Sequence, residues 1–325
     1  MALIDAQGRR ISYLRLSVTD RCNLRCRYCM PPEGIRKFRC DQILSFEELH
    51  RIARIAISLG MDKIRVTGGE PLVRKGVIAF LRDLAAIPGL AELVLTTNGV
   101  LLRDTAAALR QAGVQRLNVS LDSLRADVYA KITRGGDLQS VLDGLHTSEA
   151  AGFPAPKINV VVMRNVNDDE ILDFAALTLR KGYAVRFIEY MPTLADPDWK
   201  LRWMPASEVL NRIRQEYEIE ALDRDQSAGP ARNFRIPGAE GTIGVISPIS
   251  HRFCEQCNRM RITATGFAKG CLFDSEAVDL KPSLRAGDDV LRENLRALIA
   301  SKPARHDLLA LQRSQQPFSM AQIGG

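Results

Sequence analysis

Six of the seven cysteines fall into two triads, Cys22-x3-Cys26-x2-Cys29 and Cys254-x2-Cys257-x13-Cys271, while Cys40 stands apart. Three thiolates within eight residues are one ligand short of a structural zinc site, which takes four. They suit a [4Fe–4S] cubane that leaves one iron open to a non-protein ligand. The alternatives are a zinc ion completed by Cys40, or three reduced thiols with no metal. The second triad reads equally as cubane ligands or, with His251, as a Cys3His zinc site. Cys40 fits neither group and reads as a small buried hydrophobe.

Arg15, Arg65 and Lys157 fall on the polar faces of predicted strands, where an unpaired buried charge is costly. A small anionic ligand would satisfy them, and so would internal salt bridges. No GxxxxGK[ST] segment is present and no GxGxxG follows a strand, so any phosphate must be held by side chains. Gly68-Gly69-Glu70-Pro71 marks a turn directly after the second strand.

The elements that must position these groups follow a βα rhythm. Strands are predicted at Tyr13–Val18, Lys63–Thr67, Glu92–Thr97, Arg116–Asp122, Lys157–Met163 and Val185–Met191. Between the first two, Ser45 and Glu48 form a capping box, with Phe46, Leu49, Ile52, Ala56 and Leu59 at helical spacing before Gly60. Asp104–Ala112 and Asp168–Lys181 repeat the helical pattern ahead of Gly113 and Gly182. Strands covered on both faces read as continuous apolar runs, yet here Leu14, Leu16 and Val18 alternate with Tyr13, Arg15 and Ser17. With helices over the apolar face, the polar face must line a wet or ligand-filled interior. The expected fold is therefore an incomplete (β/α)6 TIM-type barrel, residues 1–216, followed by an α+β unit, residues 217–325. That second unit includes the run Gly241–Ile246 and a charged helix over Asp288–Ala300.

The chain has 325 residues and a net charge of +7 spread along its length, which excludes a disordered, collagen-like or disulfide-scaffold protein. No stretch approaches 18 apolar residues and the first ten lack a secretory apolar run, so a cytoplasmic location with no membrane partner is expected. A zinc-stabilised, RNA-binding protein is the non-enzyme alternative, but the dispersed charge speaks against a nucleic-acid partner.

Cys-Asn-Leu-Arg-Cys-Arg-Tyr-Cys at 22–29 resembles the signature loop of radical S-adenosylmethionine (SAM) enzymes, and Gly68-Gly69-Glu70-Pro71 resembles their GGE motif. The segment Ile246-Ser247-Pro248-Ile249-Ser250-His251-Arg252-Phe253-Cys254-Glu255-Gln256-Cys257-Asn258-Arg259-Met260-Arg261 is similar to the GTP 3′,8-cyclase family of molybdenum cofactor biosynthesis. So are Leu14–Arg21, Arg65–Pro71, Thr96–Gly99, Asn118–Asp122 and the Gly324-Gly325 terminus. The sequence departs from the family pattern at Val245, Met260 and Arg232-Asn233-Phe234.

The resemblance implies two [4Fe–4S] clusters, one on Cys22, Cys26 and Cys29 and one on Cys254, Cys257 and Cys271, with His251 structural. It implies SAM contacts from Tyr28, Gly69, Ser120 and Met191, and GTP contacts from Arg15, Arg65, Thr96, Lys157, Arg259 and Arg261. A 5′-deoxyadenosyl radical would take hydrogen from C3′ of GTP, C3′ would attack C8, and Arg15 would assist the final reduction to 3′,8-cyclo-7,8-dihydro-GTP. Gly324 and Gly325 would reach into the site. Expected partners are an electron donor such as flavodoxin or its reductase, the downstream cyclic pyranopterin monophosphate synthase, and a second copy in a homodimer. A radical SAM enzyme that modifies a peptide is the rival within enzymes.

Overall fold

The computed structural model describes residues 3–191, 198–223, 229–274, 277–306 and 320–323, apart from the side chain of Ala321. Strands β1 (Tyr13–Ser17), β2 (Lys63–Thr67), β3 (Glu92–Thr97), β4 (Arg116–Ser120), β5 (Lys157–Val162) and β6 (Ala184–Glu189) lie side by side in chain order. Each is parallel to the next, as a βα chain dictates. Helices α1 (Phe46–Ser58), α2 (Val77–Ala85) and α3 (Leu102–Gln111) cover the first crossovers. A pair, α4 (Ala126–Thr133) and α5 (Leu138–Ala150), follows β4, and α6 (Ile171–Arg180) precedes β6. The predicted capping box starts α1: Ser45 Oγ accepts from Glu48 N at 3.2 Å and Ser45 N donates to Glu48 Oε2 at 2.8 Å. The helix predicted from Asp168 begins as a 3-10 turn over Asp168–Glu170 and becomes α-helical only at Ile171.

The strand alternation sorts as the pattern requires. Leu14, Leu16, Ile64, Val66, Leu117, Val119, Ile158 and Val160 are buried in one continuous core with the helices. Their sequence neighbours Arg15, Arg65, Ser120 and Asn159 line an interior chamber instead.

After β6 come the short α7 (Trp199–Arg202) and α8 (Ala206–Glu216), then β7 (Glu220–Ala221), β8 (Arg232–Arg235) and β9 (Thr242–Ile246). A second group is β10 (Arg259–Ile262), β11 (Phe267–Lys269), β12 (Val278–Asp279), α9 (Lys281–Ala286) and the predicted charged helix, α10 (Asp288–Ala300). These strands extend the barrel sheet from both edges, in the order β12-β11-β10-β1-β2-β3-β4-β5-β6-β9-β8-β7. β9 can lie against β6 because Gly241 has no side chain: a Cβ there would sit 2.3 Å from the Tyr183 carbonyl oxygen. β10 runs parallel to β1 with Arg261 opposite Arg15 and Arg259 opposite Tyr13. Val245, Met260 and Phe234, where the sequence departs from the family pattern, are all buried apolar positions.

Candidate active site

The first triad sits on the loop that leaves β1, and backbone contacts to the β2 end hold that loop. Val18 N donates to Thr67 O at 2.9 Å, Gly69 N to Thr19 O at 2.7 Å and Glu70 N to Arg21 O at 2.8 Å. This approach is closer than any side chain allows: a Cβ on Gly69 would lie 2.4 Å from Arg21 O, and one on Gly68 2.7 Å from Thr19 O. The glycine pair therefore docks the cysteine loop, a requirement that the turn reading alone did not supply. Glu70 is fully buried beneath it and accepts from Asn98 N at 2.7 Å and Thr97 Oγ1 at 2.9 Å. Burial raises its carboxyl to about 7 against those hydrogen bonds. The Asn98 amide in turn reaches Cys22 Sγ at 3.8 Å and Asn23 Oδ1 at 2.8 Å.

Within the triad, burial pushes the Cys26 thiol well up, and Asp122, Cys29 and Cys22 add to the effect. Three neighbouring thiolates here would need a positive counter-charge, of the kind that iron would supply. Tyr28 Oη donates to Asp122 Oδ2 at 2.7 Å, while Asp122 Oδ1 accepts from Val161 N at 2.8 Å. Burial raises the Asp122 carboxyl to about 6.

The thirteen residues between Cys257 and Cys271 contain the antiparallel β10–β11 hairpin, which returns Cys271 to the end where Cys257 enters. Cys254 and Cys257 flank a 3-10 turn, with Cys257 N donating to Cys254 O at 3.1 Å. Glu189 at the end of β6 fixes the approach to this turn by accepting from Ile249 N at 2.9 Å and Ser250 N at 3.0 Å. Burial alone would raise the Cys257 thiol, but Arg259 and Lys302 outweigh it and bring it down to about 6. Arg259 Nη2 and Lys302 Nζ lie 3.5 Å and 3.6 Å from its sulfur. Arg9 secures the same region, donating to Cys254 O at 2.7 Å and Pro303 O at 2.8 Å.

All six triad cysteines line one chamber of ≈ 270 Å³. The first triad follows the C-terminal end of β1; Cys254 and Cys257 precede β10, its parallel neighbour, and Cys271 follows the antiparallel β11, so the triads lie toward opposite ends of strands spanning roughly 16 Å. Between them stands a concentration of positive charge. Arg15, Arg65, Arg186, Arg259 and Arg261 line the walls, and Arg15 and Arg186 each keep a buried Nε with no hydrogen-bond partner. Burial, then Arg261 and Arg65, lower the Arg15 pKa well below its ordinary value; burial and Arg65 bring Arg186 to about 10. Guanidinium groups stay charged in proteins, so such shifts measure how strongly the site calls for an anion. Arg65 is held by Asn118, whose amide, turned to offer its oxygen, accepts from Nη2 at 3.1 Å and Nε at 3.2 Å.

The chamber gathers Tyr28, Gly69, Ser120 and Met191 together with Arg15, Arg65, Thr96, Arg259 and Arg261. Lys157 is not on the lining: it is half-buried at the first residue of β5. Burial, then Arg186, Arg116, Lys63 and Arg65, lower its ammonium to about 7. Gly324 and Gly325 lie outside the described residues. Cys40 was expected to be buried and is exposed, on a 3-10 turn with Arg21 Nη2 3.8 Å from its sulfur. The loop between β1 and α1 runs over the surface there, so no core is available to it. His251 is also exposed.

Sequence reasoning missed Arg186, Asp122, Glu189 and Lys302. Arg186 carried a usable signal, since it alternates with Val185 and Phe187 as Arg15 does with Leu14 and Leu16. Lys302 carried none, because its partners are remote backbone oxygens.

The donor sets fit iron–sulfur cubanes. Among the described residues no three His, Cys, Asp or Glu side chains converge to hold a single metal ion. A cubane takes one thiolate at each of three separate corners and leaves the fourth open, a donor count that each triad supplies.

Residues 16–178 match the radical SAM superfamily, and residues 183–308 match the family described as Molybdenum Cofactor Synthesis C. The GTP 3′,8-cyclase of Geobacter sulfurreducens is 58% identical over 326 residues, covering 100% of both chains. That of Moorella thermoacetica is 46% identical over 323 residues, covering 99% of each. Among solved structures, Streptococcus suis SuiB bound to S-adenosylmethionine aligns with a TM-score of 0.58 at 15% identity, over 90% of this chain and 67% of that one. This last likeness concerns the fold.

Proposed function

The chain belongs to the GTP 3′,8-cyclase family of radical SAM enzymes, and from that premise we propose how its chamber divides the work. It is an enzyme of molybdenum cofactor biosynthesis that closes a bond between C3′ and C8 of GTP, with SAM and iron–sulfur clusters as cofactors. The observation that carries the assignment of residues is the single chamber lined by both cysteine triads and by buried, unneutralised arginines.

Cys22, Cys26 and Cys29 would hold the first [4Fe–4S] cluster, and Cys254, Cys257 and Cys271 the second. SAM bound at the first would supply, on one-electron reduction with release of methionine, the 5′-deoxyadenosyl radical that takes the hydrogen atom. Tyr28, Gly69, Ser120 and Met191 orient SAM at the C-terminal ends of the strands. Arg15, Arg65, Arg259 and Arg261, with Thr96, hold GTP between the two centres. Lys157 and Arg186 draw its triphosphate toward the other end of the barrel. Arg15, facing both Arg65 and Arg261, remains charged once the phosphates arrive and assists the final reduction. Gly324 and Gly325 complete the site from the C-terminal tail.

In this reading residues 1–216 form the radical-generating half and residues 217–325 the half that holds the second cluster. An electron donor such as flavodoxin or its reductase, a homodimer, hand-over to cyclic pyranopterin monophosphate synthase and a cytoplasmic location belong to the same proposal. Among the described residues no helix is long and apolar enough to cross a membrane.

Anaerobic reconstitution followed by iron and sulfide analysis tests it. The intact chain should bind about eight iron atoms, two cubanes' worth, and the Cys254→Ala/Cys257→Ala/Cys271→Ala variant about four. A variant that loses no iron would remove the second cluster from the account.

A further inference from the structure

We propose that the loop carrying the first cysteine triad is the docking surface for an acidic flavoprotein that gives up one electron, which the reading above requires as electron donor. From Arg21 to Asp41 the chain has six basic residues against two acidic ones, so 21 residues carry a net +4 of the whole chain's +7. All six, Arg21, Arg25, Arg27, Arg36, Lys37 and Arg39, are exposed. Only Arg39 is ion-paired, with Asp41, among the described residues. None of these cations lines the chamber, so the substrate does not account for them.

The loop is also held in shape. Arg134, itself in the left-handed conformation at φ 56°, donates to the carbonyl oxygens of Arg25 and Met30 at 2.8 Å each. Arg25 N and Arg27 N donate to Thr133 O at 3.1 Å and Ile132 O at 2.9 Å, and Phe38 N donates to Asp20 Oδ2 at 2.7 Å. A pre-shaped surface loses little entropy on docking. Cys22, Cys26 and Cys29 lie among these cations on the same loop and are half-buried, lining the chamber on its inner side. In the transfer, one electron would leave the donor's flavin hydroquinone, oxidising it by one unit, and enter the centre that the triad would hold. Unpaired surface cations around that centre attract an acidic donor and orient it by long-range field.

The test uses the anaerobically reconstituted full chain and a flavodoxin in its hydroquinone form, following bleaching of the iron–sulfur absorbance by stopped flow. Arg36→Glu/Lys37→Glu lies outside the cysteine run and should keep its iron. Its second-order reduction rate should fall at least tenfold at low ionic strength, with the gap closing as salt rises. Reduction by photoreduced 5-deazariboflavin, a small neutral reagent, should be unchanged. Arg292→Glu/Arg296→Glu on α10 should leave both rates alone. Equal flavodoxin rates in wild type and the loop variant, or an equal loss with both reductants, overturns the docking surface. Wild-type protein that neither holds iron nor bleaches with the neutral reagent overturns the cofactor reading itself.

Discussion

Lys302 Nζ lies 3.6 Å from Cys257 Sγ and donates to Arg259 O at 2.8 Å and to Gly270 O. One buried ammonium thus fastens the segment entering β10 to the segment leaving β11, and so fixes two of the three second-triad cysteines. Lys302→Met should strand those oxygens at about 1–3 kcal/mol, raise the Cys257 pKa, and lower iron toward one cluster per chain. Lys302→Arg should recover part of the iron. Equal iron in Lys302→Met and wild type would mean that the lysine does not organise this site.

Gly69→Ala should damage the first site without touching a ligand. The added methyl would meet Arg21 O at 2.4 Å and Arg21 C at 2.7 Å, both backbone atoms of the cysteine loop. Relief requires the loop to move, at a cost of roughly 1–3 kcal/mol. The expected result is a lower thermal midpoint together with loss of first-cluster iron, measured in the Cys254→Ala/Cys257→Ala/Cys271→Ala background. Unchanged iron would show that the loop adapts.

Lys157 should make GTP binding proton-linked. In the free protein burial and four neighbouring cations hold its ammonium at about 7, so near pH 8 it is mostly neutral. A triphosphate restores the charge. Binding should therefore take up about one proton near pH 8, and affinity should fall as pH rises through 7. Calorimetry in buffers of different ionisation enthalpy reads this directly. Lys157→Arg, charged throughout, should abolish the uptake, and a wild-type signal independent of buffer would contradict the assignment.

Arg15→Ala should lower cyclised product by roughly 10²–10³-fold, the scale for losing a charged group that meets developing charge. Iron content should hold, since Arg15 is not one of the thiol donors. Full turnover in this variant would remove Arg15 from the reaction.

Much of this arrangement was legible because it is written in local periodicity. Leu14-Arg15-Leu16 and Ile64-Arg65-Val66 set apolar and charged faces one residue apart, which is enough to infer a polar interior. The capping box at Ser45 and Glu48 fixed the α1 start for the same local reason. The way β9 and β10 extend opposite edges of one sheet was not legible, since pairing between Tyr13 and Arg259 spans nearly the whole chain. Nor was the second role of Gly69, whose crowding comes from a loop fifty residues earlier. Cys40 misled because cysteine's usual burial is a composition average that a surface loop need not obey.

The most direct measurement follows the hydrogen. Reconstituted enzyme, SAM and reductant are mixed anaerobically with GTP deuterated at C3′, and the 5′-deoxyadenosine formed is analysed by mass spectrometry. The account predicts one deuterium transferred for each GTP consumed. Formation of 5′-deoxyadenosine without deuterium, while GTP persists, would contradict it.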